Sequence, residues 1–187
     1  AIEHWTGFRQ SEAPKKGWVV RDSAIVHEAS GGGGDLVSRE TYGDFDFRFS
    51  FRIAPRGNAG VRWHGTGEGK QTYFSGPEYQ VIDDAGAKPG ERHAVGALYD
   101  LVPATGKETR PAGAWNEGRI VVQGGRLKHF LNGKKVVDTP CAGPEWTAMI
   151  EKSKFKKWPF GTASEGRMAL QDHGDEVAYR NLRIKKL

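Results

Sequence analysis

Residues 44–53, Asp-Phe-Asp-Phe-Arg-Phe-Ser-Phe-Arg-Ile, alternate polar and apolar side chains without a break. Successive side chains on a strand point to opposite faces. Phe45, Phe47, Phe49, Phe51 and Ile53 therefore share one side, and Asp46, Arg48, Ser50 and Arg52 share the other. A helix would scatter the same residues around its circumference. The segment reads as a long antiparallel strand with one buried face, ended by Pro55 and Gly57. Such a face needs a second apolar layer against it, which points to a two-layer β protein.

The rest of the chain agrees with that choice. Residues 59–64 read as the next strand. Residues 120–122, 126–131 and 134–138 read as a three-stranded meander, because Gly124-Gly125 and Asn132-Gly133 supply the positive φ angles of two-residue hairpin turns. The run 177–184 changes phase midway, with apolar residues at 177 and 179 and then at 182 and 184. A β-bulge near Asn181 would keep both pairs facing the core. Residues 144–155, with Trp146, Met149 and Ile150 at helical spacing, are the one expected helix, and residues 31–34 are expected to be a flexible glycine loop. The chain carries 26 glycines, 6 tryptophans, 5 tyrosines and 9 phenylalanines, a composition suited to many strands and tight turns. At 187 residues, with no repeat or linker, it is expected to form a single domain over 1–187. The expected fold is all-β, a jelly-roll sandwich of two antiparallel sheets with one short helix.

Several function classes are disfavoured. No apolar run approaches the roughly 20 residues that span a bilayer, so membrane insertion is not expected. The net charge of +5 and pI near 9.3 raise the question of nucleic acid. The basic residues are scattered along the sequence, however, and the densest group (Lys152, Lys154, Lys156, Lys157) reads as a solvated face, so nucleic acid is not an expected partner. Cys141 stands alone, without a disulfide or zinc partner, and reads as a buried inert thiol. The chain opens on Ala1, and residues 1–10 show no charged start followed by an apolar stretch; removal of a leader ahead of Ala1 is an open expectation. Oligomeric state has no readable signature.

One strand carries candidate chemistry. In Gly76-Pro77-Glu78-Tyr79-Gln80-Val81-Ile82-Asp83, alternation puts Glu78, Gln80 and Ile82 on one face. A carboxylate and an amide two residues apart suit a polyhydroxylated ligand, and the carboxylate can also take up a proton. The polar segment Leu170-Gln171-Asp172-His173-Gly174 could complete the site. The bland alternative is an antiparallel strand with one wet face.

Nine motifs follow in order: Gly34-Asp35-Leu36-Val37, Tyr42-Gly43-Asp44-Phe45, Asn58-Ala59-Gly60-Val61-Arg62, the Glu78 strand above, Gly96-Ala97-Leu98-Tyr99, Arg110-Pro111-Ala112-Gly113-Ala114-Trp115-Asn116, Leu131-Asn132-Gly133, the 170–174 segment, and Arg180-Asn181-Leu182-Arg183-Ile184. In this register the chain resembles the 3-keto-disaccharide hydrolase family over nearly its whole length. Two departures stand out. A Phe-Asp-Gly-Lys-like segment usual before the Gly-Trp pair has no counterpart before Trp5, and Ala59 stands where the family usually has serine.

The resemblance implies a concanavalin-like jelly roll, a carbohydrate substrate, an extracytoplasmic (periplasmic or secreted) bacterial setting, and cleavage of glycosides already oxidised at C3. On that footing Glu78 is the candidate base or metal ligand, His173 a candidate proton shuttle or metal ligand, and Arg62 a candidate partner for the ketone or enolate oxygen. Gln80, Gln171, Asn58, Trp115, Tyr99 and His64 are candidate substrate contacts. Whether a divalent metal ion takes part is left open. Arg62 is expected to pair with Glu78 and hold its pKa down. Two other functions stay open: a noncatalytic, lectin-like carbohydrate-binding module, and a two-carboxylate glycosidase with a second carboxylate about 5 to 9.5 Å across the cleft.

Overall fold

In a computed structural model, which describes residues 2–187, the chain forms two antiparallel sheets stacked face to face. The five-stranded sheet runs in the order β1 (Trp5–Gly7), β4 (Leu36–Tyr42), β11 (Gly166–Leu170), β6 (Asn58–Gly65) and β7 (Glu78–Ile82). The seven-stranded sheet runs β10 (Lys134–Pro140), β9 (Arg126–Leu131), β8 (Asn116–Gln123), β5 (Phe45–Ile53), β12 (Val177–Lys186), β3 (Ala24–His27) and β2 (Trp18–Arg21). The chain crosses between sheets from β4 to β5 to β6 and again from β10 to β11 to β12. These crossings make the sandwich a jelly roll rather than a pair of meanders.

The alternating segment is β5, at the centre of the seven-stranded sheet. Phe45, Phe47, Phe49, Phe51 and Ile53 are all buried, whereas Arg48 is exposed and Asp46 and Arg52 are half-buried. Ser50 is also buried, because the Asn181 side-chain amide donates to its hydroxyl. The core between the sheets is aromatic. Phe49 stacks on Phe47 at 5.3 Å and meets Tyr79 of the opposite sheet edge-on at the same separation. Gly118 lies across from Phe49, and a Cβ there would come within 2.3 Å of its ring.

The meander β8-β9-β10 turns at Gly124-Gly125 and Asn132-Gly133, all four residues with positive φ. The register of β12 against β5 shifts between Arg180 and Arg183, with Asn181 at φ 55°. Asn181 thus forms the bulge, and Tyr179, Leu182 and Ile184 all pack on the core.

Three expectations are corrected. Among the described residues there are two α-helices, not one: α1 (Asp84–Ala87) follows β7, its N-terminus capped by the Asp83 side chain. Helix α2 (Gly143–Glu151) ends earlier than expected, because the Ser153 hydroxyl accepts from Phe155 N–H and starts a separate 3-10 turn, Lys154–Lys157. The glycine segment 31–34 is held in place: Trp18 donates its indole N–H to Gly34 O, and Gly34 N–H donates to Asp172. Cys141 is half-buried, and burial pushes its thiol up to about 11, so it stays protonated at neutral pH.

Candidate functional site

Strands β6 and β7 pair so that Asn58 opposes Ile82, Gly60 opposes Gln80 and Arg62 opposes Glu78. Ala59, Val61, Trp63, Tyr79 and Val81 fill the core. Alternation therefore drives Asn58, Arg62, Glu78 and Gln80 to the outer face of the five-stranded sheet. There they line a cavity of about 610 Å³ with Gln171, His173 and Tyr99, so seven of the nine expected residues converge from distant parts of the chain. Ala59 itself is buried in the core, so a serine at this position would point away from the cavity.

Glu78 and Arg62 are both buried, with Glu78 Oε2 at 2.5 Å from Arg62 Nη2. Among the described residues the remaining guanidinium donors, Nε and Nη1, have no hydrogen-bond partner, nor do the side-chain carbonyl oxygens of Gln80 and Gln171. A buried polar atom left unpaired costs about 1–3 kcal/mol, so three such side chains around one cavity mark a place built for a polar ligand. Gln80 Nε2 donates to Asn58 Oδ1, which turns Asn58 Nδ2 toward His173 Nε2 at 3.3 Å. In that arrangement Nε2 of His173 accepts and the ring proton sits on Nδ1.

The electrostatics depart from the sequence expectation. Complete burial pushes the Glu78 carboxyl above its ordinary value, and the nearby Asp35 charge pushes the same way; Arg62 opposes both without overcoming them. Desolvation wins because Glu78 is wholly buried and the Arg62 guanidinium also faces the charge of Asp35; the Lys154 ammonium adds only a weaker pull downward. Asp35, immediately before β4, is likewise raised, chiefly by burial against the pull of Arg62.

Gly60 makes room for the carboxylate. A Cβ at this position would lie 2.3 Å from Glu78 Oε1, so any side chain evicts the carboxylate from its place beside Arg62. Gly60→Ala should keep the strand and lose turnover on the order of 100-fold, the effect of misplacing a reacting group by about 1 Å. Circular dichroism alongside a turnover assay checks this; a folded variant with undiminished turnover would show that the carboxylate need not occupy that position.

Two expected contacts lie elsewhere. His64 follows Arg62 by two residues, but its φ of 51° twists it off the cavity; its Nε2 meets Gly43 O at 2.8 Å and its ring packs edge-on against Phe45 and Trp63. Trp115 sits on the outer face of the other sheet, between Arg52 and Arg180. Conversely, Asp35, Gln71, Tyr73, Lys154, Phe155, Trp158 and Asp172 line the cavity although the sequence does not mark them as site residues. Asp35 accepts from Thr72 and from Asp172 N–H, and Asp172 in turn meets His27 at 3.0 Å and Gly34 N–H. In the sequence Lys154 reads as part of a solvated face. The 3-10 turn instead lays its ammonium over the Tyr99 ring at 4.2 Å, within 2.9 Å of the Tyr99 hydroxyl. Trp158 packs on Phe74 and Tyr73, and the Arg62 guanidinium lies over the Tyr73 ring, which gives the cavity an aromatic wall on which sugar rings can stack.

Glu78 and His173 share the cavity, but among the described residues no three His, Cys, Asp or Glu side chains gather in a metal-holding arrangement. A second crevice of equal volume opens between β4 and β12. It is lined largely by core residues such as Phe47, Met168 and Tyr179 and contains none of the expected site residues.

A family model for 3-keto-alpha-glucoside-1,2-lyase-like domains matches residues 1–185. A curated relative, the 3-keto-disaccharide hydrolase of Bacteroides thetaiotaomicron, is 31% identical over 216 aligned residues, covering 98% of this chain and 74% of its own length. The crystal structure of a candidate glycosyl hydrolase from Parabacteroides distasonis matches with a TM-score of 0.88 at 26% identity, covering 98% of this chain and 89% of that one. A carbohydrate-binding module from Bacillus subtilis matches with a TM-score of 0.63 at 14% identity, over 98% of this chain and 96% of its own, a likeness of fold alone.

Proposed function

The chain belongs to the family of 3-keto-alpha-glucoside-1,2-lyase-like domains, and from that membership we propose that it is a carbohydrate-active hydrolase of 3-keto-disaccharides that works by elimination and hydration. The observation that carries the mechanism is the buried Glu78, seated over Gly60 with its pKa raised, next to an arginine with two unpaired donors.

A ketone at C3 acidifies the proton on C2. Glu78 takes that proton, and the C–H electron pair flows toward the C3 oxygen, where the free Nε and Nη1 of Arg62 stabilise the developing enolate. The enolate collapses to form the C1–C2 double bond and expels the glycosidic oxygen from C1. That oxygen takes a proton from His173 Nδ1. Water then adds at C1, returning a proton to His173, and protonated Glu78 gives its proton back to C2. Both residues are restored, and the net change is addition of one water across the glycosidic bond.

A raised pKa suits this base. The closer a carboxylate's affinity for protons lies to the working pH, the stronger its pull on a carbon acid while it remains ionised. A two-carboxylate displacement is less well served. Asp35 and Asp172, the other carboxylates of the cavity, are already engaged by Thr72, by His27 and by backbone N–H groups.

Incubation with a 3-keto-disaccharide and with its unoxidised parent tests the mechanism. The oxidised sugar should release monosaccharide and the parent should not, because only the ketone acidifies the C2 proton. Equal cleavage of both would exclude elimination. Binding of both with no cleavage would assign the fold to a noncatalytic, lectin-like role.

A further inference from the structure

The outer face of the seven-stranded sheet, on the far side of the molecule from the cavity, carries a row of like charges. Register places Arg183 of β12 directly opposite Arg48 of β5, Arg48 opposite Arg119 of β8, Arg119 opposite Phe130 of β9, and Phe130 opposite Lys135 of β10. Four cations and one aromatic ring thus form a single line across five adjacent strands. With strands about 4.8 Å apart, the line is roughly 19 Å long.

The next row along the strands is of a different kind. Lys185, Asp46, Val121, Lys128 and Asp138 mix both signs. The row on the other side, Arg180, Ser50 and Glu117, is mixed as well. Like charges placed directly opposite each other on neighbouring strands oppose folding. Here the relief is partial. Asp46 binds Arg119 through two hydrogen bonds of 2.8 and 2.9 Å and Arg48 through two longer ones of 3.2 and 3.4 Å, while Lys135 reaches Asp138. The Arg183 side chain has no ion pair or hydrogen bond among the described residues. Along this line runs a shallow groove of about 440 Å³, lined by Arg48, Arg119, Arg183, Phe130 and Ser50, with one acid, Glu117, at its edge.

We propose that this arginine row is a second carbohydrate-binding surface, one that holds a linear polysaccharide bearing carboxylates on successive sugars. Guanidinium groups bind carboxylates through paired, geometrically fixed hydrogen bonds. Over β12, β5 and β8 they stand one per strand, a spacing comparable to the length of one sugar unit in an extended chain, so more than one carboxylate of a polymer can engage at once. Other polyanions fit less well. Phe130 is the row's one aromatic and Arg119 covers it at 4.8 Å, so there is no open platform for unstacked bases. A flat sheet face carries no helix or ribbon to enter a duplex groove. A membrane surface is disfavoured too, since Val20 and Leu187 are the exposed large apolar side chains among the described residues and neither lies in the row.

The surface is independent of the catalytic reading, because its test measures binding. The 187-residue chain is titrated calorimetrically with polygalacturonate, with a neutral glucan and with duplex DNA, at low and moderate salt. Polygalacturonate should bind and weaken as salt rises, and the neutral glucan should not bind. Arg183→Gln removes a side chain with no ion pair or hydrogen bond among the described residues and should weaken binding about tenfold, the equivalent of one charge-assisted pair. Arg48→Gln with Arg183→Gln should weaken it further, with turnover at the cavity unchanged in both variants. Failure of the native chain to bind polygalacturonate would overturn the proposal. So would unchanged affinity in both variants, or duplex DNA held as tightly as the polyuronate.

Discussion

Glu78→Gln should fold normally and lose turnover of the 3-keto-sugar by about 10²- to 10⁴-fold, the range supplied by a positioned general base. Glutamine keeps the shape that fits over Gly60, and its amide oxygen can still accept from Arg62 Nη2, which sits 2.5 Å from the native carboxylate. What it loses is the ability to take a proton. The pH dependence sharpens the test. Glu78 works as a base only when ionised, and burial raises its pKa above the ordinary 4.5. In the native enzyme kcat/KM should therefore fall as pH drops through a value above that of a solvated carboxylate, and plateau on the alkaline side. The residual activity of the variant should lack this acid limb. Wild-type turnover in Glu78→Gln, or an unchanged acid limb, would remove Glu78 from the mechanism.

Phe49→Ala should lower stability by about 3 to 5 kcal/mol, a fall in Tm on the order of 10 °C for a chain of this size. Phe49 is 2% exposed, and its ring is enclosed by Phe47, Phe51, Tyr79 and Tyr179 from both sheets. The opposing residue, Gly118, has no side chain to move into the space left behind. Chemical denaturation monitored by tryptophan fluorescence measures the loss. A change below about 1 kcal/mol would mean that the sandwich collapses around the vacancy, contrary to the packing described.

The five-residue apolar face of β5, the glycine and asparagine turns of the meander and the phase change at Asn181 are local patterns, and each became the element it indicated. Strand alternation also sorted Glu78 and Gln80 from Tyr79 and Val81, whereas the register of β6 on β7 is what sets Arg62 opposite Glu78. The aromatic wall and the second carboxylate of the cavity were harder to read. Asp35, Tyr73, Lys154 and Trp158 lie before, after or between strands, where no periodicity reports the direction of a side chain. Asp35 did stand within a recurring motif, and that was its one available signal. His64 shows the limit within a strand: strict alternation would set it on the face of Arg62, and a single left-handed φ turns it away.

Direction along a strand is a local property, set by backbone sterics, and the sequence by itself determined it for β5, β6 and β7. Which strands become neighbours depends on burying the whole apolar surface at once, and only the tertiary structure decided that. The same is true of the energetics of the site. The residue types imply that Arg62 lowers the pKa of Glu78, whereas complete burial and the nearby Asp35, contributed by the start of β4, raise it. Desolvation is a sum over everything packed around a group, so it has no signature in the residues on either side. The arginine row arose in the same way: Arg48, Arg119 and Arg183 are far apart in the chain, and strand register alone sets them side by side.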